Sequence, residues 1–575
     1  MAARAWFEKI ADTLEQRAAV KIAAGEAIVC ASGISPSGTI HLGNLREVMT
    51  VHLVAEELRS RGHQVEHIHS WDDFDRLRKI PAGVDESFSE HLGRPLAEVP
   101  DPWGEHASWA ERHIAEFERC LARLGVTARF VRQSQAYPSG IYRESIQQAM
   151  AERGRIFDIL AEHQAAERHD LPVEERRRAY YPFRVYCRSC RRDDTEITAY
   201  EPATATVTYR CACGEERSFS LDDEVPGKLV WKVDWPMRWQ FEGVDFEPGG
   251  EDHSSPGGSF TVGKRIVREV FGGEPPFYVG YAFVGVSGAS KISSSAGTEA
   301  TPGTALDIIE PCILRWLYMR RNVGQSFTID FGPEMLRLYD EWDAFRARAA
   351  AAGPDDANAK ILARCLATSG GPVDGSAAGA GGGAADSDAA GSPVACTPLP
   401  VSFRLLSSAA DLTQGNRDQM LRIVAEHLDS PPPPDELARQ VEPRLTCAAN
   451  WTERFVPDAE RTRVNEGFDR AVWESLSDDQ RAGARLLAER LDAAWTLDGL
   501  TALVYGVPKL LRDLPLDHRP AKGDPRAEEL KAAQRDFFSA LYRLLVGSET
   551  GPRLPTLLLS IGRERVRELL VPPAG

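Results

Sequence analysis

The chain predicts an α/β fold: a doubly wound parallel sheet interrupted by a small cysteine-bearing insertion, then an all-helical C-terminal half. Three observations predict it. Residues 1–165 alternate helical and strand-like hydrophobic periods, residues 166–226 break that rhythm with arginine and cysteine clusters, and long helical patterns dominate after residue 300.

In order, the periods predict a helix over 3–23, a strand over 27–33, a helix over 41–61 and a strand at Val65–His69. A helix over 105–124, a strand at Thr127–Val131 and a further helix from Ser139 follow. Strands that alternate with helices predict a parallel sheet with a nucleotide crevice at its carboxyl edge. Within the insertion, Ala203–Tyr209 reads as a short strand. The sheet resumes over 228–286, where a strand at Phe277–Val286 leads into a Ser/Gly-rich loop around Lys291. Residues 369–397 are almost entirely Gly, Ala, Ser, Asp and Pro, too apolar-poor to offset chain entropy, so disorder is expected there.

At 575 residues, 43% of them hydrophobic, the chain exceeds one core and predicts three or four domains. No run of eighteen apolar residues appears, and Met1–Glu8 is unlike a signal peptide, so a cytoplasmic protein with no membrane partner is expected. The net charge of -17 argues against a general nucleic-acid coat, and DNA is not an expected partner. One local basic face would still suffice for a specific RNA. Four of the ten cysteines cluster as Cys187-x-x-Cys190 and Cys211-x-Cys213, which favours a metal site over a disulfide framework. Four thiolates suit a closed tetrahedral zinc site, although the single-residue spacing of the second pair departs from the commoner two. Four unbridged thiols are the alternative.

Two short motifs carry chemistry. Pro36-Ser-Gly-Thr-Ile-His-Leu-Gly-Asn44 joins a strand to a helix through small residues, and the helix start offers free N–H groups to phosphate. Thr39 and His41 would hold a phosphate chain there. Lys291, in Gly-Ala-Ser-Lys-Ile-Ser-Ser-Ser, would bring a cation to the same phosphates. Each motif alone matches a solvated turn equally well; the two in this order do not.

Pro36–Asn44 resembles the HIGH signature and Lys291–Ser295 the KMSKS signature of class I aminoacyl-tRNA synthetases. More specific are Ser70–Pro81, Trp231–Trp239 and Gly250–Ser259, which resemble the class I lysyl-tRNA synthetase family over almost the whole chain. The tail Phe537–Arg553 resembles the helical cage shared with glutamyl-tRNA synthetases.

The resemblance implies activation of L-lysine with ATP to lysyl-adenylate and transfer to the 3' end of tRNA(Lys), with Mg2+ on the phosphates and structural Zn2+. It implies a Rossmann-type catalytic domain in two halves, 1–165 and 227–300, around a zinc-binding, acceptor-end insertion at 166–226. A stem-contact region at 301–368 and an anticodon-binding domain at 398–575 complete the map. Catalytic roles would fall on Thr39, His41, Asn44, Lys291, Ser293 and Ser294, and ATP contacts on Pro36, Ser37, Gly38, Gly43, Gly250 and Asp252. Gly33, Ser35, Trp231, His253 and Tyr281 would meet the amino acid, and Cys187, Cys190, Cys211 and Cys213 the zinc. Ser294 stands where the signature usually has a second lysine. Archaeal relatives carry a second metal site; here Asp101, Glu105, His106 and Arg112 span the matching stretch, and Arg112 predicts that site to be empty or absent.

Glutamate is the rival substrate. A glutamyl enzyme places an arginine six residues before the Ser37-Gly38 pair, where this chain has Ala31. Trp231, Asp234, Trp235 and Tyr281 suit an ammonium group better. A non-catalytic tRNA-binding paralogue is the rival from another class. RNA contacts are expected at Arg176–Arg178 with Tyr180, Tyr181 and Phe183, and at Arg315, Arg320 and Arg321.

Overall fold

The computed structural model describes residues 5–80, 83–163, 171–255, 257–287, 300–353, 356–367, 395–399, 401–518 and 526–573. The Gly/Ala-rich stretch and the lysine loop lie largely or wholly outside them.

Strand β1 (Ile28–Ile34) is buried on both faces, as an apolar central strand of a parallel sheet requires. It leads through the Pro36–His41 turn into helix α1 (Leu42–Ser60), which packs on the sheet. β2 (Val65–Trp71) runs parallel to β1, from Ile28↔Val65 to Ile34↔Trp71. After helix α2 (Trp109–Arg123), β3 (Arg129–Arg132) pairs parallel with the outer side of β2. On the other side of β1, Cys30 bridges Phe246 and Phe246 bridges Phe277, again in parallel. The spatial order is therefore β3, β2, β1, then the Phe246 and Phe277 segments, with α3 (Trp231–Glu242) leading into the first of these.

Several boundaries move for local reasons. The expected helix at 3–23 is two, Trp6–Arg17 and Ala19–Ala24, and Gly25 closes the second at φ 74°. The helix expected from residue 105 starts at Trp109, because Ser108 Oγ caps the Glu111 N–H at 3.1 Å. The single strand expected at 277–286 is two short pieces. Gly280–Tyr281 pairs with Gly249–Gly250, whereas Val284–Ser287 pairs with Phe327–Asp330, a strand inside a region that reads as helical. A change of partner divides it, with Ala282 N–H donating instead to the Val323 carbonyl.

In the insertion, Thr195–Glu201, Thr206–Cys211 and Glu216–Ser220 form an antiparallel sheet. Phe183–Val185 pairs with Gly227–Leu229 and ties it to the core. Val207, Tyr209 and Phe219 pack into one cluster with Tyr137, Tyr142 and Ile146 of the neighbouring helices.

Beyond residue 300, helix α4 (Pro311–Met319) buries Arg315 completely. Arg315 reaches His52 Nε2, Glu56 and the carbonyls of Leu124 and Arg364, so it is an internal strut and not the RNA contact expected from the sequence. Arg320 pairs with Glu341 at 2.8 Å and lies over the Trp316 ring. The main core continues into the helical half through Phe403, Leu406 and Trp451, and a separate core spans Trp473 to Leu570.

Candidate active site

A cavity of about 700 Å³ opens beside the start of α1. It gathers His41, Gly43 and Asn44 with Gly250, Asp252, His253 and Tyr281, seven residues that the sequence singled out. His41 is the exposed residue that precedes the helix, and its N–H donates to Asn44 Oδ1 at 3.1 Å. Asn44 thus fixes the helix entrance, where Leu42 N–H donates to the Ala300 carbonyl and Asn44 N–H to the His41 carbonyl, and Gly43 lines the cavity between them. A Cβ at Gly43 would sit 3.8 Å from the Val284 carbonyl, so α1 approaches the neighbouring strand closely. Tyr278 OH donates to the Gly250 carbonyl at 2.7 Å, and Asp252 Oδ1 lies over Gly250, 2.5 Å from where a Cβ would stand. Pro36, Ser37, Gly38 and Thr39 form the turn leading into the cavity without lining it. Lys291, Ser293 and Ser294 fall outside the described residues.

The sequence reading missed Glu47. It lies on α1, and its Oε1 accepts the Gly33 N–H at 2.7 Å while Oε2 accepts the Tyr281 hydroxyl at 2.8 Å. One carboxylate therefore ties together two of the expected amino-acid contacts. Burial, helped by the charges of Glu247 and Asp72, pushes Glu47 up to about 8 against its hydrogen bonds. Burial lifts Glu247 to about 7 and Asp72 to about 6. Glu47 is the one acid in the first two turns of a helix whose other acids, Glu56 and Glu57, lie near its end, a signal available in the sequence.

The cations nearby are already engaged. Arg238 lies 3.0 Å from Asp72 and 3.2 Å from Asp234, and Lys228 lies 2.6 Å from Asp75. Tyr137 OH donates to Asp234 at 2.6 Å. Five carboxyl groups (Glu47, Asp72, Asp75, Asp234 and Glu247) thus share two cations, and burial raises Glu47, Glu247 and Asp72 toward the protonated form, from which a cation bound beside them would draw them back to ionise. Ala31 lines a small cavity beside Arg238 and Glu247. The guanidinium of Arg238, which lines that cavity, is occupied by Asp72 and Asp234 of the protein itself.

Aromatic rings form the adjoining wall. Trp231 stacks on Trp235 at 5.2 Å, and His253 meets Trp235 edge-on at 5.5 Å. Phe283, also missed, stands at the cavity rim, 77% exposed. Ser35 is half-buried after β1 and lines neither cavity.

In the insertion, all four cysteine sulfurs lie within 4.8 Å of one another. Cys187 Sγ is 3.7 Å from Cys213 Sγ and Cys190 Sγ is 3.6 Å from Cys211 Sγ. A tetrahedron with Zn–S bonds of about 2.3 Å separates its sulfurs by about 3.8 Å, so the donor set fits zinc. The Asp101 stretch does not fit a metal: Arg112 Nη1 sits 3.3 Å from Asp101 and 2.7 Å from Glu105, while Asp101 also accepts the N–H groups of Glu105 and His106.

Among the residues expected to face RNA, Phe183 is only 2% exposed and belongs to the insertion's core, which corrects the stacking role expected for it. Arg177 grips both oxygens of Asp158, and Arg176 lies over the Phe157 ring. Arg153 braces the segment from below, bonding the carbonyls of Arg178 and Tyr180 and lying 4.3 Å over Tyr181.

The family model described as "tRNA synthetases class I (K)" matches residues 4–368. The chain is 45% identical to the lysine–tRNA ligase of Streptomyces coelicolor, over 98% of both chains. It is 31% identical to that of Pyrococcus horikoshii and 30% identical to that of Treponema pallidum, each again over 98% of both chains. With a cavity at the helix entrance, a buried cluster of acids behind it and these relatives along its length, the chain belongs to the class I (K) tRNA synthetase family.

Proposed function

We propose that the chain activates L-lysine with ATP to lysyl-adenylate and transfers it to the 3' end of tRNA(Lys). The observation that carries lysine over glutamate is the buried acid cluster: five carboxyl groups beside two already paired cations can ionise against an ammonium ion and offer a carboxylate no free counter-charge. The Glu47 carboxylate, held by Gly33 and Tyr281, is placed to accept the ammonium, and Trp231 and Trp235 offer it ring faces.

The strand succession on either side of β1 supports a doubly wound catalytic domain with its crevice beside the Pro36–His41 turn. There the lysine carboxylate attacks the α-phosphate of ATP in line and pyrophosphate leaves. His41 and Gly43 at the start of α1 face the phosphate chain, Gly250 and Asp252 the ribose, and the exposed ring of Phe283 the adenine. Positioning and fixed charge supply most of the rate. Mg2+ bound to the phosphates would neutralise their charge. A ribose hydroxyl at the tRNA end then attacks the adenylate carbonyl and releases AMP. The insertion, through Arg176–Arg178, Tyr180 and Tyr181, takes the acceptor end, and the helical half reads the anticodon. Among the described residues no helix is long and apolar enough to cross a membrane; we place the enzyme in the cytoplasm.

Charging assays with ATP, Mg2+ and total tRNA test the reading. Lysine is expected to be incorporated and glutamate not; glutamate incorporation would overturn it. Replacing Lys291 by Ala is expected to abolish lysine-dependent ATP–pyrophosphate exchange while tRNA binding survives. Structural Zn2+ on the four clustered thiolates completes the proposal. Metal analysis is expected to give one zinc per chain, lost in Cys187→Ser together with the ordered insertion.

A further inference from the structure

Outside the clustered thiols, one cysteine pair stands apart. Cys312, at the start of α4, is fully buried and disulfide-bonded to Cys396, 84 residues later, with Cα atoms 5.6 Å apart. Cys396 is partly exposed and belongs to the short described segment 395–399, which begins within the last residues of the Gly/Ala-rich stretch. That segment is clamped on several sides. Thr397 N–H donates to Glu310 at 2.6 Å, Thr397 Oγ1 accepts the Arg444 N–H, and Arg346 donates to the carbonyls of Thr397 and Pro398. Glu310 lies within 4.8 Å of both sulfurs, but its oxygens are engaged by Thr397 and Arg444, so the trio is not a free metal site.

We infer that Cys312 and Cys396 form a reversible thiol–disulfide site that sets how firmly α4 is joined to the helical half. In a reducing compartment a disulfide between distant elements is more often redox-responsive than structural. The exposed partner fixes the order of steps. Cys396 thiolate attacks a peroxide oxygen, the O–O bond breaks, and sulfenic acid and water result. Cys312 sulfur then attacks Cys396 Sγ and expels a second water; overall two thiols and one peroxide give one disulfide and two waters. A dithiol reverses this by attacking Cys396 Sγ and releasing the Cys312 thiol; its second thiol then closes onto the first sulfur, releasing the Cys396 thiol and leaving the reagent as a disulfide. The closed bond holds segment 395–399 on Glu310 and Arg444, pre-organising the joint between the region after the lysine loop and the helices proposed to hold the anticodon.

The test uses the full chain, zinc-loaded, reduced with a dithiol or treated with graded hydrogen peroxide. Peptide mapping after thiol blocking is expected to show a Cys312–Cys396 linked peptide that lacks two hydrogens and disappears with dithiol. Total tRNA is expected to bind the bonded form more tightly by about 2- to 30-fold, the range that such couplings span. Lysine-dependent ATP–pyrophosphate exchange should not change. Cys396→Ser should bind tRNA as the reduced protein does and ignore peroxide; at a partly exposed position it avoids the packing risk of Cys312→Ser. Absence of the linked peptide at every peroxide level, equal tRNA affinity in both states, or a redox response surviving in Cys396→Ser would each overturn the inference. Because the role of the joint rests on the proposed activity, binding rather than charging is read. Failure to charge lysine would count against the proposed function alone, and failure of the linked peptide against this site alone.

Discussion

Replacing Glu47 by Gln is expected to raise KM for lysine by about 10- to 100-fold, the worth of a hydrogen bond to a charged partner, with KM for ATP little changed. The amide keeps an acceptor for Gly33 N–H or the Tyr281 hydroxyl but loses the charge that holds an ammonium. A pH profile separates charge from shape. Glu47 is lifted to about 8 in the empty site, and its ionised form binds lysine, so kcat/KM for lysine should rise with pH and level off above about 8. In Glu47→Gln that limb should vanish, leaving only the lower limbs of Asp72 and Glu247 near 6 and 7. The same shift has a stability sign. A carboxylate whose folded value is raised is held protonated in the folded enzyme, so the unfolded chain loses its proton first. The empty enzyme therefore loses stability between about pH 4.5 and 8, and bound lysine should restore it most at the upper end. An unchanged KM and an unchanged profile would remove Glu47 from the lysine site.

Arg444 is expected to give the largest stability loss in the helical half. It opens helix α5 (Arg444–Phe455) and is completely buried, with Nε 2.6 Å from Glu310 and two nitrogens 2.8 Å from the Asp343 carboxylate. It also donates to the Val401 carbonyl at 2.9 Å and faces the Tyr339 ring at 5.2 Å. Arg444→Ala leaves Glu310, itself fully buried, without its counter-charge, which costs about 3–5 kcal/mol. The urea transition should move to lower denaturant, with an extrapolated unfolding free energy smaller by that amount. Arg444→Met combined with Glu310→Gln should recover much of it, because the penalty is the unpaired charge more than the lost pair. Equal stability of Arg444→Ala and the native chain would show that the strut carries no net load.

Much of the site was legible because its motifs are local. The Pro36–Asn44 turn, the Gly250–Asp252 turn and the cysteine pairs are each a few adjacent residues, and the structure brings the first two to one cavity and the four sulfurs to one point. Glu47 was harder to read, since an acid on a helix is ordinarily solvated; only the approach of Gly33 from β1 and Tyr281 from a strand far along the chain reveals what it holds. Arg315 and Phe183 erred in the opposite direction. An arginine on an amphipathic helix and a phenylalanine beside basic residues both read as surface, and both became interior once distant segments covered them.

The alternation of periods by itself determined the succession of strands and helices around β1, because side-chain periodicity is a property of neighbours along the chain. Composition gave an expectation of disorder for residues 369–397, all but the last three of which lie outside the described residues. Tertiary structure alone decided which charges are buried together: the acid surplus beside Glu47, the Arg444 strut and the Cys312–Cys396 bond each join residues tens to hundreds of positions apart. Burial strengthens or penalises a charge according to what packs against it, and that is set by the folded chain and not by its order.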